Sequence, residues 1–231
     1  MRLRIRATLV AVVCSLLLAG CGSSSSASRS STNAASNSST TASASSSTSA
    51  GTAAGQSTLG FEGVPLETGP QLAPASTTGT ATVDGIHCGA IEQLAYHIHA
   101  HLAVFVNGAE YSLPGGIGIP GSSMYQTSEG PVAAGGKCFY WLHTHAPDGI
   151  IHVESPTRRV YTLGNFFDEW HQPLNAHRVG TVSGKITAFV NGKPWTKSVR
   201  DIPLIPHADI QLEIGSPIPP LQTVDWSQTQ L

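Results

Sequence analysis

From residue 96 onward, apolar and polar positions mostly alternate, and helical periodicity is rare. In Tyr96–Val106 the residues Ile98, Ala100, Leu102, Val104 and Val106 fall on one side of an extended chain. Asn107-Gly108 follows, then a second run, Ala109–Leu113. Asn-Gly between two such runs predicts a hairpin, because both central residues of the turn need positive φ. The same device recurs as Ile186–Val190, Asn191-Gly192 and Lys193–Trp195. The segments 103–108 and 187–192 are either a weak internal repeat or two unrelated hairpins sharing a turn. A third hairpin is predicted from Phe139–His145, the turn Ala146-Pro147-Asp148-Gly149, and Ile150–Ser155. One helix is predicted over about 162–171, capped by Thr162, with Leu163, Phe166, Phe167 and Trp170 on one face. A last strand spans Ile210–Ile214. The fold class is therefore α+β, mostly antiparallel β with one short helix. The order hairpin, helix, hairpin is compatible, by analogy, with a β-grasp-like layout.

The N-terminal pattern is different. Arg2, Arg4 and Arg6 precede an apolar run, Ala7–Leu18, and then Leu18-Ala19-Gly20-Cys21. This is the pattern of a secretory signal over residues 1–20. The run is too short to span a bilayer, which needs roughly 20 apolar residues. The Leu-Ala-Gly-Cys ending resembles the lipobox of bacterial lipoproteins. That resemblance implies a diacylglycerol (palmitate-type acyl chains) on Cys21, cleavage before it, and a membrane as partner. Residues 21–58 are almost entirely Ser, Thr, Ala, Gly and Asn, and cannot bury enough apolar surface to offset chain entropy. They read as a tether. Residues 59–82 add Phe61, Val64, Leu66 and Leu72 and read as an extended arm on the domain. Residues 83–231 form one domain of ordinary size.

Charged residues make up 11% of the chain and the formal net charge is −2, so no basic surface points to nucleic acid. Of the four cysteines, Cys14 leaves with the signal and Cys21 takes the lipid. Cys88 and Cys138 remain, and export places them where disulfides persist. They are expected to pair, worth about 4 kcal/mol for a loop of that length. The rival reading, a copper-ligating cysteine, needs histidine and usually methionine at set spacing. Met124 is the one methionine left after the signal, and it lies in a glycine-rich stretch.

Six of the ten histidines fall in two short stretches. His97, His99 and His101 alternate in a predicted strand and share the face opposite its apolar side. His143 and His145 alternate in the next, and a turn centred on Pro147-Asp148 sets His143 opposite His152 and Trp141 opposite Glu154. Imidazole is the commonest metal ligand, and repeated histidine is a costly filling for one sheet face. His143, His145, His152 and Glu154 are therefore candidate ligands, with His97, His99 and His101 beside them or completing the set. Such a site suits Zn or Cu; the scarcity of Met and free Cys disfavours Cu(I). His87, His171, His177 and His207 stand alone and read as structural or surface residues.

The blocks His97–Leu102, Cys138–His145 and Asp148–Pro156 look like those of a family of uncharacterised secreted bacterial proteins. So do Thr162–Phe167 and Gln211–Gly215. The resemblance covers nearly all of the domain and implies that it is one unit. It carries no activity.

Three functions stay open: a surface protein that captures, buffers or delivers Zn or Cu; a metal-dependent enzyme in which Glu154 acts as base or orients a ligand; and a metal-free envelope module with hydrogen-bonded histidines. The sequence holds no nucleophile elbow, HExxH helix or phosphate loop. Because acyl chains supply the anchoring, Cys21→Ala is expected to move the protein out of the membrane fraction. Sedimentation of that variant with carbonate-washed membranes would refute lipid anchoring.

Overall fold

The computed structural model describes residues 58–75 and 79–231. The signal segment, Cys21 and the tether up to residue 57 lie outside the described residues. No described helix is long and apolar enough to cross a membrane. The strands in chain order are β1 (Tyr96–Val106), β2 (Ala109–Tyr111), β3 (Met124–Thr127), β4 (Gly130–Ala133), β5 (Leu142–His143), β6 (Ile150–Ser155) and β7 (Tyr161–Thr162). Helix α1 (Leu163–Glu169) follows. Then come β8 (Leu174–Asn175), β9 (Arg178–Val179), β10 (Val182–Ser183), β11 (Ile186–Val190), β12 (Lys193–Trp195), β13 (Pro203–Leu204) and β14 (Ala208–Ile214).

The main sheet has seven strands in the order β12-β11-β14-β1-β6-β5, with β2 beside the far half of β1. All its pairings are antiparallel except one: β1 and β14 run parallel at the centre. Both Asn-Gly hairpins form. Asn107 and Gly108 have φ of 51° and 81°, and Asn191 and Gly192 have 49° and 73°, as that turn requires.

One face of this sheet carries the core. Ala100, Leu102 and Val104 of β1, Ile151 and Val153 of β6, and Ile210 and Leu212 of β14 are buried in one apolar cluster. The cluster includes Leu163, Phe166, Phe167 and Trp170 of the helix, its predicted apolar face. Thr162 caps α1 in a capping box with Asn165. The helix is shorter than its apolar pattern: it closes on Trp170, and His171 turns away with φ 55°.

The arm is built into the fold. Leu72 is fully buried in the core cluster. Its amide donates to the Ser112 carbonyl at 2.9 Å, and the Glu67 amide donates to the Pro147 carbonyl at 2.8 Å. Cys88 and Cys138 form a disulfide with a Cα separation of 5.4 Å. Beside it, Gly89 and Phe139 exchange backbone hydrogen bonds at 2.8 Å in each direction.

The third hairpin keeps its predicted register, with His143 opposite His152, but its ladder ends there. Beyond His143 the chain turns to other partners: the Thr144 amide donates to the Ile117 carbonyl at 3.1 Å, and the His145 carbonyl accepts from Ala133 at 2.8 Å. At the turn, Gly149 has φ 75°, and its carbonyl accepts from the Leu102 amide at 2.9 Å. A Cβ there would sit 2.6 Å from the Leu102 carbonyl oxygen and 2.8 Å from His101 Nε2. At Gly192, φ is 73° but no atom lies within 4 Å of such a Cβ. Gly192→Ala is therefore expected to cost about 1 kcal/mol, the left-handed penalty alone. Gly149→Ala adds a steric clash with backbone, for a total of about 3 kcal/mol. Urea midpoints of the two variants test the difference; equal losses would show that close packing at Gly149 is unimportant.

Candidate metal centre

Three adjacent strands bring the histidines together. On β1, His97 lies opposite Glu154 and His99 opposite His152 of β6. On the other side of β6, His152 lies opposite His143 of β5. Side chains alternate along a strand, so these residues share the face opposite the apolar core. His145 has left the ladder but stays on this side, with its Nδ1 2.7 Å from the Ala133 carbonyl of β4.

The decisive geometry is at His143 and His145. His143 Nδ1 lies 2.9 Å from the Tyr140 carbonyl. A carbonyl only accepts, so in both rings the proton sits on Nδ1 and the Nε2 lone pair is free. The two Nε2 atoms are 3.2 Å apart. Neither can donate to the other, and a cation between them resolves the conflict. A backbone carbonyl fixing the tautomer through the far nitrogen is also how metal-ligating histidines are commonly oriented.

The rest of the set fits a metal. His143, His145, His152 and Glu154 each offer a ligand atom, all within 4.8 Å of one another. Tetrahedral zinc with bonds near 2.0–2.1 Å holds its ligands roughly 3.3 Å apart. The first pair already meets that spacing, and the others close by about 1.5 Å at most. A second set, His97, His99 and His152, meets the same criterion.

Carboxylates surround these rings. Glu154 Oε1 lies 3.1 Å from His97 Nε2 and 3.3 Å from His152 Nδ1, while its Oε2 lies 3.8 Å from His143 Nε2. Glu62 Oε1, from the arm, is 2.6 Å from His152 Nε2. Glu92 Oε1 is 3.5 Å from His145 Nε2. A cleft of about 430 Å³, lined by His97, His99, His145, His152 and Glu62 among others, opens onto the centre.

His101 is not part of either set. Strand rise carries it roughly 13 Å along β1 from His97, and it faces Ile150, which offers no ligand. It packs over Gly149 and lines a separate cavity of about 660 Å³ with Glu67 and Glu110. His87, His171, His177 and His207 are exposed and outside both sets. Glu62 and Glu92 escaped the sequence reading. Glu62 is a lone charge among Gly60, Phe61, Gly63 and Val64, a weak signal in a charge-poor chain. Its contact with His152 spans 90 residues, beyond any local pattern. Glu92 carries no such signal.

Burial dominates the electrostatics. It pushes His99 down to about 3, with the neighbouring His152 adding to the effect. It pushes His101 down to about 4. His143 is held well below 6.5 by burial and then by His152 and His145, and His145 is lowered by burial and His152. These four rings are neutral, and three of them, His99, His143 and His145, belong to the candidate sets. His152 is the exception. Burial lowers it, but hydrogen bonds and charge from Glu154 and Glu62 outweigh burial and lift it to about 9. It is an imidazolium between two carboxylates, and ligation has to displace its proton.

No family model, no curated protein and no solved structure matches the chain. The site's own geometry therefore carries the functional argument.

These shifts fix how metal-free stability depends on pH. His99, His101, His143 and His145 have folded pKa values below the unfolded 6.5, so stability falls as pH drops below 6.5, down to about 3 for His99 and about 4 for His101. His152 has a raised value, so its contribution is complete below 6.5 and is lost as pH rises through about 9. Buried Glu67 and Glu169, both raised well above 4.5, also favour the acid side of neutrality. The chelated protein is expected to be most stable near pH 6.5. Denaturant midpoints rising steadily from pH 6.5 to 9 would contradict the charge assignment of His152.

Proposed function

We propose that this protein binds a divalent transition metal, Zn(II) or Cu(II), at His143, His145, His152 and Glu154, as an exported protein held to a membrane by lipid on Cys21. Its role is to capture, buffer or deliver that metal at the cell surface. The observation that carries the reading is the pair of Nε2 lone pairs facing each other at 3.2 Å, each ring locked in that tautomer by a carbonyl. The donors are imidazole and carboxylate, which suit these two ions. Cys88 and Cys138 are committed to a disulfide, so neither offers the thiolate that would favour Cu(I).

The cleft beside the centre supports a second reading, a metal-dependent enzyme. An ion held by three histidines with an open position toward the cleft would lower the pKa of its bound water to about 7, and Glu62 or Glu154 would accept the proton. Hydrolysis or hydration in a substrate screen that needs the metal would favour this reading over capture.

Plasma mass spectrometry of protein purified without a histidine tag is expected to find at least one Zn or Cu per chain. His143→Ala and His152→Ala are each expected to remove most of the metal from the His143–His145 position, whereas His177→Ala retains it. Metal content at background in the unaltered protein, even after Zn(II) or Cu(II) is supplied, would leave a hydrogen-bonded, metal-free module in its place.

A further inference from the structure

We propose that the centre holds two metal ions and that Glu154 bridges them. The inference rests on the metal-binding reading above and goes beyond it in number and arrangement. The imidazoles form two sets rather than one: His143 and His145 on one side, His97 and His99 on the other, with His152 common to both. Among the described residues, no one group of ligand atoms within 4.8 Å of one another takes in all five imidazoles.

Glu154 stands between them with its two oxygens divided. Oε1 faces His97 Nε2 at 3.1 Å and His152 Nδ1 at 3.3 Å. Oε2 faces His143 Nε2 at 3.8 Å and, though buried, has no hydrogen-bond partner among the described residues. His99 Nε2 is also buried without a partner among the described residues, in a residue only 7% exposed. Its ring centroid is 4.5 Å from those of both His97 and His152. A buried polar atom left unpaired is costly, and a metal ion satisfies one that offers a lone pair. One orphaned atom falls to each set: Glu154 Oε2 faces His143, and His99 belongs with His97.

The charges agree. Glu154, Glu62 and Glu92 supply three carboxylates around the cluster, enough to balance most of the charge of two divalent ions. A carboxylate spanning two ions about 3.5–4 Å apart is the usual form of a two-metal site. Five imidazoles and the carboxylates share out as three or four protein donors for each ion, with His97, His99, His145 and His152 all lining the cleft through which ions would enter.

The test titrates Cu(II) into the full chain, stripped with chelator and free of any histidine tag. Equilibrium dialysis is expected to saturate at two equivalents. The electron paramagnetic resonance spectrum at saturation is expected to show dipolar coupling and a half-field transition, as required for ions about 4 Å apart. The double variant H97A/H99A is expected to keep one ion with an uncoupled spectrum, and H143A/H145A likewise. The unaltered protein decides the matter even if the variants fold poorly. Saturation at one equivalent, or two equivalents without coupling, overturns the bridged pair and leaves a mononuclear centre standing. No binding at all overturns both readings.

Discussion

His99 of β1 faces His152 of β6, and His152 faces His143 of β5. That register across three strands is the constraint on which the rest depends. A slip of one residue between β1 and β6 would turn His152 and Glu154 into the apolar core and bring Ile151 and Val153 out. The slip buries polar groups without partners and exposes apolar ones, so the packing that stabilises the sheet also fixes where the histidines sit. Rotamer freedom is then removed from the far side of each ring. Tyr140 and Ala133 hold the Nδ1 atoms of His143 and His145 through backbone carbonyls, which cannot rotate away.

The second face of the sheet carries polar residues that are mostly buried, with His97 exposed at the cleft. Beside the histidines it carries Gln211 and Glu213, 3% and 1% exposed. The arm and the C-terminal segment cover it: Gln222 donates its amide to Gln211 at 2.7 Å, and Gln230 donates to the Glu62 carbonyl at 3.3 Å. This shelter from water strengthens the field between Glu62, Glu154 and the imidazoles. It also brings in Glu62, so residues 58–75 add a carboxylate to the histidine cluster.

Much of this was legible in the sequence, for local reasons. Alternation and Asn-Gly turns specified the hairpins at Asn107 and Asn191, and the turn after His145 specified which residue faces His152. Parity placed His97, His99, His143 and His152 on one side of their strands. What escaped depends on long-range pairing. The parallel alignment of Ala100–Val106 with Ala208–Ile214 joins segments about a hundred residues apart and has no local mark. Glu62 and Glu92 reach the centre through coil. His101 obeys the same parity as His97 and His99, but parity does not measure distance along a strand, and its place opposite Ile150 removes it from the ligands.

The central pair of the sheet, β1 and β14, has a consequence in time. Val104 of the first long strand rests beside Leu212 of the last, so neither face of β1 is complete until the final strand is in place. Non-local pairing of this kind makes closure slow and late, because a long loop has to be ordered first. A chain emerging N-terminus first would carry its histidine strands in an open, unfinished sheet until nearly its whole length had been delivered. The histidines would be assembled as a cluster only at the end, by the same event that completes the core.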